Sequence, residues 1–164
     1  MTTQDLLQIV AVGIALVCTS VFIQVMITML VVNFFSRSTL RRGSRPGYLR
    51  RMIVLICLIL TIVVDHLFQI HVWGVAFYLL SYFDDFWTSQ YFATQTYTTL
   101  GYGDLLLPPT RRMLAGWLSL TGLLMIGWST ALFAYLITKY HETHVSPDQS
   151  GHRERPSARG SGHS

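Results

Sequence analysis

Three apolar runs, from Leu6 to Phe35, from Met52 to about Tyr82 and from Met113 to about Tyr140, constrain everything else this chain can become. Crossing a hydrocarbon core takes about 20 helical residues, and each run is nearer 30, which allows tilt or extension into the headgroups without setting an angle. With no water to satisfy backbone groups in lipid, each run predicts a helix. Composition agrees: 51% of the residues are hydrophobic and 12% charged, against roughly a quarter charged in soluble domains. The expected fold class is therefore an all-α membrane protein with three transmembrane helices. In 164 residues there is room for one membrane unit and a short tail, but none for a separate catalytic or ligand-binding domain.

The surplus positive charge is clustered, which bears on topology more than on nucleic acid. The linker 36–51 carries Arg37, Arg41, Arg42, Arg45, Arg50 and Arg51 and no acid. By the positive-inside bias it is expected in the cytoplasm, with the N-terminus outside, the second span running outward, and the third returning Lys139 and the C-terminus to the cytoplasm of a multi-pass cell-membrane protein. Arg111 and Arg112 are exceptions on the outer side. Met1 to Asp5 lacks the basic start of a signal peptide, so 1–35 reads as a retained N-terminal helix. Cys18 and Cys57 lie in apolar runs at depths about 18 Å apart at 1.5 Å rise per residue, so no bridge between them is expected.

Between the second and third spans lies a segment too short to cross. Asp84 and Asp85 suit a helix N-terminus, and residues 86–98 then read as an aromatic-rich half-helix of roughly 20 Å. Gly101, Gly103, Pro108 and Pro109 follow. A half-helix running into a glycine-containing loop is the pattern of a re-entrant segment, tolerated at membrane depth only where it lines a cavity or is buried in protein. Glycine tolerates left-handed backbone angles, so alternating glycines allow successive carbonyls to face one axis and replace an ion's hydration shell. Thr99 adds a hydroxyl, and Tyr102 is expected to point away and brace the loop against surrounding aromatics. The half-helix would aim its negative dipole end inward.

In this setting, Thr98-Thr99-Leu100-Gly101-Tyr102-Gly103-Asp104 closely resembles the signature of potassium channels. Over residues 52–140 the chain resembles the bacterial single-pore-loop potassium channels. That resemblance implies an outer helix at 52–82, a pore helix at 86–98, a filter at 99–103 and an inner helix at 113–140. It further implies potassium bound at Thr99, Leu100, Gly101, Tyr102 and Gly103, and four identical subunits around one pore. Thr98, Gln95 and Asp104 would support the filter and its outer mouth. Leu100 stands where valine is commoner in the family, and Gln95 where many relatives carry an acid; the first leaves the carbonyl unchanged, and the second bears on inactivation. No cofactor is expected beyond potassium as the permeant ion.

On the third span, Gly122 and Gly127 are candidates for a gate hinge, against the commoner role of small residues as packing contacts. Asp65 and His66 are ionisable groups in mid-span, where such groups usually face protein or water. Gln24, Trp128, Ser129 and Thr130 fall at about the same depth and could complete a polar layer. It would serve either as interhelical glue for the additional first helix or, through His66, as a proton sensor. The tail 141–164 is expected to be disordered, and its scattered histidines His141, His144, His152 and His163 form no compact ligand set. Its basic residues and those of the linker suit contact with anionic membrane lipids.

The first helix has no regular arginine repeat and no cytoplasmic nucleotide- or calcium-binding domain is recognised, so little voltage dependence and no built-in ligand gate are expected. Two rivals stand beside the potassium channel: a non-selective monovalent cation channel, and a non-conducting modulatory or sensing subunit. An enzyme is not expected, since no nucleophile and base constellation lies outside the membrane.

Overall fold

The computed structural model describes residues 3–40 and 48–145. They form four helices: α1 (Thr3–Leu40), α2 (Tyr48–Leu79), α3 (Phe86–Tyr97) and α4 (Met113–Val145), the last preceded by one turn of 3₁₀ helix at Pro109–Arg111. No strand occurs among the described residues. Helices α1, α2 and α4 are long and apolar enough to cross a membrane, over Leu6–Phe35, Met52–Leu79 and Pro109–Lys139. Large apolar side chains such as Phe22, Phe34, Leu60, Val64 and Leu123 are exposed along them. A soluble monomer rarely carries so much contiguous apolar surface. This one is a multi-pass membrane protein, whose outward faces meet lipid or other subunits.

Local chemistry sets where the helices stop. The expectation that the second helix reaches Tyr82 is corrected to Leu79. Ser81 adopts a left-handed φ of 53°, its N–H bonds to the Tyr78 carbonyl (2.9 Å), and the Tyr82 N–H reaches back to the Phe77 carbonyl (3.0 Å). That pair of bonds is a Schellman stop, which usually carries an apolar contact across it; here the Phe77 and Tyr82 rings supply it at 5.9 Å. Helix α1 runs past Phe35 to Leu40, and α2 begins at Tyr48 rather than Met52. The interhelix segment is thus shorter than 36–51, because Ser36–Leu40 contains no glycine or proline and Tyr48 follows Pro46-Gly47. Helix α4 likewise continues to Val145, so 141–145 is helical rather than disordered. The next residues are Ser146-Pro147, and proline disfavours helix in the residue before it. The remaining tail, with His152 and His163, lies outside the described residues.

Asp85 begins α3 as an N-cap, accepting the Thr88 N–H at 2.8 Å. With 12 residues, α3 is about 18 Å long and falls short of a crossing of about 30 Å. It packs in the angle between α2 and α4, while α1 lies mainly along α4. A buried cluster joins Trp73 and Phe77 of α2, Phe92 and Tyr97 of α3, and Leu114 and Leu118 of α4. Gly13 lets α1 come close: a Cβ there would sit 2.6 Å from the Trp117 ring. Toward the other end, Phe35, Leu58 and Leu136 tie α1, α2 and α4 together. The short helix is thereby held by a scaffold of three long ones, and its C-terminus delivers residues 98–104.

Candidate functional site

Every second residue after α3 is left-handed: Thr99 at φ 60°, Gly101 at φ 52° and Gly103 at φ 80°. An L-residue in that region costs about 1–2 kcal/mol, so the glycines reduce the strain at two of the three positions and Thr99 carries it at the third. An added Cβ at Gly101 or Gly103 would meet nothing within 4 Å, so the backbone angle, not space, demands glycine there. The same segment is solvent-exposed in the single chain, including Thr99, Leu100, Gly101, Tyr102 and Gly103.

Gln95 holds the segment from within. Its backbone carbonyl accepts the Gly101 N–H at 3.1 Å, and its side-chain Oε1 accepts the Tyr102 N–H at 3.1 Å. Gln95 is buried, and its Nε2 has no hydrogen-bond partner among the described residues. The Thr99 N–H bonds to the Thr96 carbonyl at 3.0 Å, and the Thr98 hydroxyl bonds to the Thr94 carbonyl at 2.8 Å. Thr96 in turn accepts from Ser119 of α4 at 3.0 Å. At the mouth, the Tyr91 hydroxyl donates to Asp104 Oδ2 at 2.9 Å. That bond is the main reason the exposed Asp104 carboxyl is held below its usual range, and it pushes the Tyr91 phenol up. Tyr102 departs from expectation: it is 68% exposed and stacks on no aromatic ring among the described residues.

Beneath this segment polar side chains of several helices meet, Gln24, Asp65, His66 and Ser129 among them. Gln69 is their hub, fully buried. Its Nε2 donates to Gln24 Oε1 at 2.8 Å and to Asp65 Oδ1 at 3.3 Å, while Gln24 Nε2 donates to Ser129 Oγ at 3.1 Å. His66 faces the Tyr97 hydroxyl, 2.9 Å from Nδ1, and that hydroxyl is also 3.5 Å from Gln69 Oε1. Gln69 Oε1 can only accept, so the Tyr97 hydroxyl is the donor in that contact. The layer thus joins α1, α2, α3 and α4. Trp128 and Thr130 stand outside it: the Trp128 indole donates to Thr28 at 3.1 Å, and the Thr130 hydroxyl turns to its own helix at Ile126 (2.9 Å). Gln69 was detectable as the i+4 neighbour of Asp65 on one helix face. Tyr97 carried no such signal, because its part depends on where α3 is docked.

The two glycines of α4 differ. A Cβ at Gly122 would collide with the Tyr97 backbone carbonyl, its next contact being the Tyr97 carbonyl carbon at 2.9 Å, whereas one at Gly127 would meet nothing within 4 Å. Gly122 is a close-packing position under α3, and Gly127 is unencumbered.

A family model described as "Ion channel" matches residues 52–139, more than half of the chain. The match spans most of α2, all of α3, the segment 98–104 and most of α4. No curated protein and no solved structure matches the chain.

Proposed function

We propose that this chain, which belongs to the ion-channel family, forms a potassium-selective pore as one of four identical subunits, with residues 99–103 as the filter. The family establishes a pore-forming membrane protein. The observation that supports the finer reading is the alternation of left-handed φ at Thr99, Gly101 and Gly103. Alternation of this kind turns successive carbonyls to one side of the chain, where they can replace the hydration shell of a dehydrated cation. Gln95 holds that backbone by two bonds, and α3 aims its carbonyl end at the same place, favouring a cation there.

A single chain has one such segment and leaves it exposed, so an ion pathway lined on all sides needs further copies. Tyr102, exposed here, is then free to pack against a neighbouring subunit. In this reading α4 lines the inner pore, Asp104 concentrates cations at the mouth, and the arginine-bearing linker between α1 and α2 lies in the cytoplasm. The N-terminus is then outside and the C-terminus inside. With no arginine repeat in α1, the conductance is not voltage-driven, and anionic lipids are its natural partners at the linker.

The test is flux from the purified protein alone in liposomes, with reversal potentials in mixed potassium and sodium. A reversal potential that follows the potassium gradient is expected. Equal permeability would replace this reading with a non-selective cation pore, and silence with a non-conducting subunit.

A further inference from the structure

At the filter-mouth end, the start of α1, the turn after α2 and the 3₁₀ turn before α4 enclose a cavity of about 550 Å³, within the range of small-ligand sites, about 300–1,000 Å³. Its apolar lining includes Ile9 and Val12 of α1 and Leu80. Its polar lining is Gln8, also on α1, with Thr110 and Arg111 of the 3₁₀ turn. Arg111 lies over the Tyr82 ring, 4.5 Å from its centroid, a stacking that holds a guanidinium by its face and leaves the edge N–H donors available. Among the described residues Arg111 forms no ion pair, and no side-chain hydrogen bond engages Gln8 or Thr110. Its neighbour Arg112 differs, its Nε donating to the Leu107 carbonyl at 3.3 Å.

The cavity therefore combines a held cation, two uncommitted polar groups and aliphatic side chains, at the end of the spans where an amphiphile's head and tail meet. We propose that it binds an amphiphilic anion, a singly charged oxyanion head on an apolar body, as a phospholipid phosphate or a fatty-acid carboxylate provides. The head lies against Arg111, with Thr110 and Gln8 as further hydrogen-bond partners, and the tail runs along Ile9, Val12 and Leu80. This gives a role to an arginine on the side of the membrane that usually lacks them, and it goes beyond ion selectivity and does not depend on it.

The test is native mass spectrometry of the purified assembly in detergent, incubated with phosphatidylglycerol, phosphatidylcholine, oleate or inorganic phosphate. Phosphatidylglycerol is expected to be retained about fivefold over phosphatidylcholine, the ratio that one arginine's attraction for an anionic head corresponds to. Arg111→Gln should bring the two to parity. Ala11→Trp, which fills the cavity from an exposed helix face without changing charge, should lower retention of phosphatidylglycerol to the same level, and it serves if Arg111→Gln fails to assemble. Oleate competing with phosphatidylglycerol supports a shared oxyanion head. Unchanged preference in either variant overturns the proposal, as does parity in the wild type, expected if a neighbouring subunit fills the cavity. Displacement of the lipid by inorganic phosphate alone would also overturn it, since the apolar lining would then contribute nothing.

Discussion

The side-chain oxygen of Gln95 accepts the backbone N–H of Tyr102 at 3.1 Å, across the loop that its own main-chain carbonyl ties at Gly101. One residue of the short helix thus spans the proposed filter at two successive amides. The brace is neutral, so it does not depend on protonation, and its Nε2 remains without a partner among the described residues.

Gln95→Leu should leave the Tyr102 N–H unmatched and loosen the filter without disturbing the long helices. The expected cost is about 0.5–1.5 kcal/mol per chain, that of one hydrogen bond lost at a part-buried site, read as lost potassium over sodium selectivity with unchanged helicity. Selectivity equal to wild type would remove Gln95 from this role.

Gly122 and Gly127 should separate packing from hinging. Gly122→Ala drives a methyl into the Tyr97 carbonyl, and overpacking of this kind costs about 1–3 kcal/mol, so a lower melting temperature and reduced flux are expected. Gly127→Ala meets no neighbour and should leave thermal stability at or slightly above wild type, since alanine is the better helix former by about 0.5–1 kcal/mol. A change in single-channel open probability there would mark a hinge; an unchanged one would remove Gly127 from gating.

Gln69→Leu should be more damaging than a substitution of Gln24 or Ser129, because it strands Gln24 and Asp65 together in a buried site. A loss of about 1–3 kcal/mol in unfolding free energy is expected. Gln24→Leu should loosen α1 from α2 and α4, measured by proteolysis or hydrogen exchange confined to α1. Equal protection of α1 in both proteins would count against the layer as the attachment of the first helix.

The Asp104 carboxyl is held below its usual range by the Tyr91 hydroxyl. A depressed carboxylate stabilises the fold at pH values above its unfolded pKa of about 3.9, and this contribution is lost as pH falls through the lower folded value. In Tyr91→Phe the Asp104 carboxyl should titrate at higher pH, nearer its unperturbed value, and acid inhibition of current from the mouth side should move up with it. Carbon-detected titration of Asp104 checks the first statement directly; identical curves in both proteins would discard the bond.

His66→Ala tests whether the contact with Tyr97, at 2.9 Å, senses protons. Loss of the pH dependence of current near neutrality is the sensor's signature, while a retained dependence with lower stability leaves His66 as interhelical glue. Tyr97→Phe, which keeps the ring packed and removes the hydroxyl, should match His66→Ala if the two act as a pair.

Much of this architecture is legible from residue order. Apolar runs of about 30 residues require helices wherever water is absent, Asp85 announces the start of α3, and Gly101 and Gly103 announce left-handed backbone. These are local or compositional properties, carried by the chain wherever it goes. The end of α2 was not legible, because a serine at φ 53° takes the place that glycine usually marks. The same holds for Thr99, whose left-handed angle contradicts its residue type and survives only because the Thr96 carbonyl and the Gln95 brace around it over-determine the loop.

What sequence alone determined is the class, the spans and the place of the candidate filter, since hydrophobicity, helix length and glycine spacing need no partner to be read. Only the tertiary structure decided that Gln69 and Tyr97 belong to the polar layer while Trp128 and Thr130 do not, that Gly122 is a contact, and that Arg111 overlooks a cavity. Each of these depends on which faces of α1, α3 and α4 meet. Helix rotation and docking arise from many weak contacts summed over the assembly of helices, and no short stretch of residues encodes that sum.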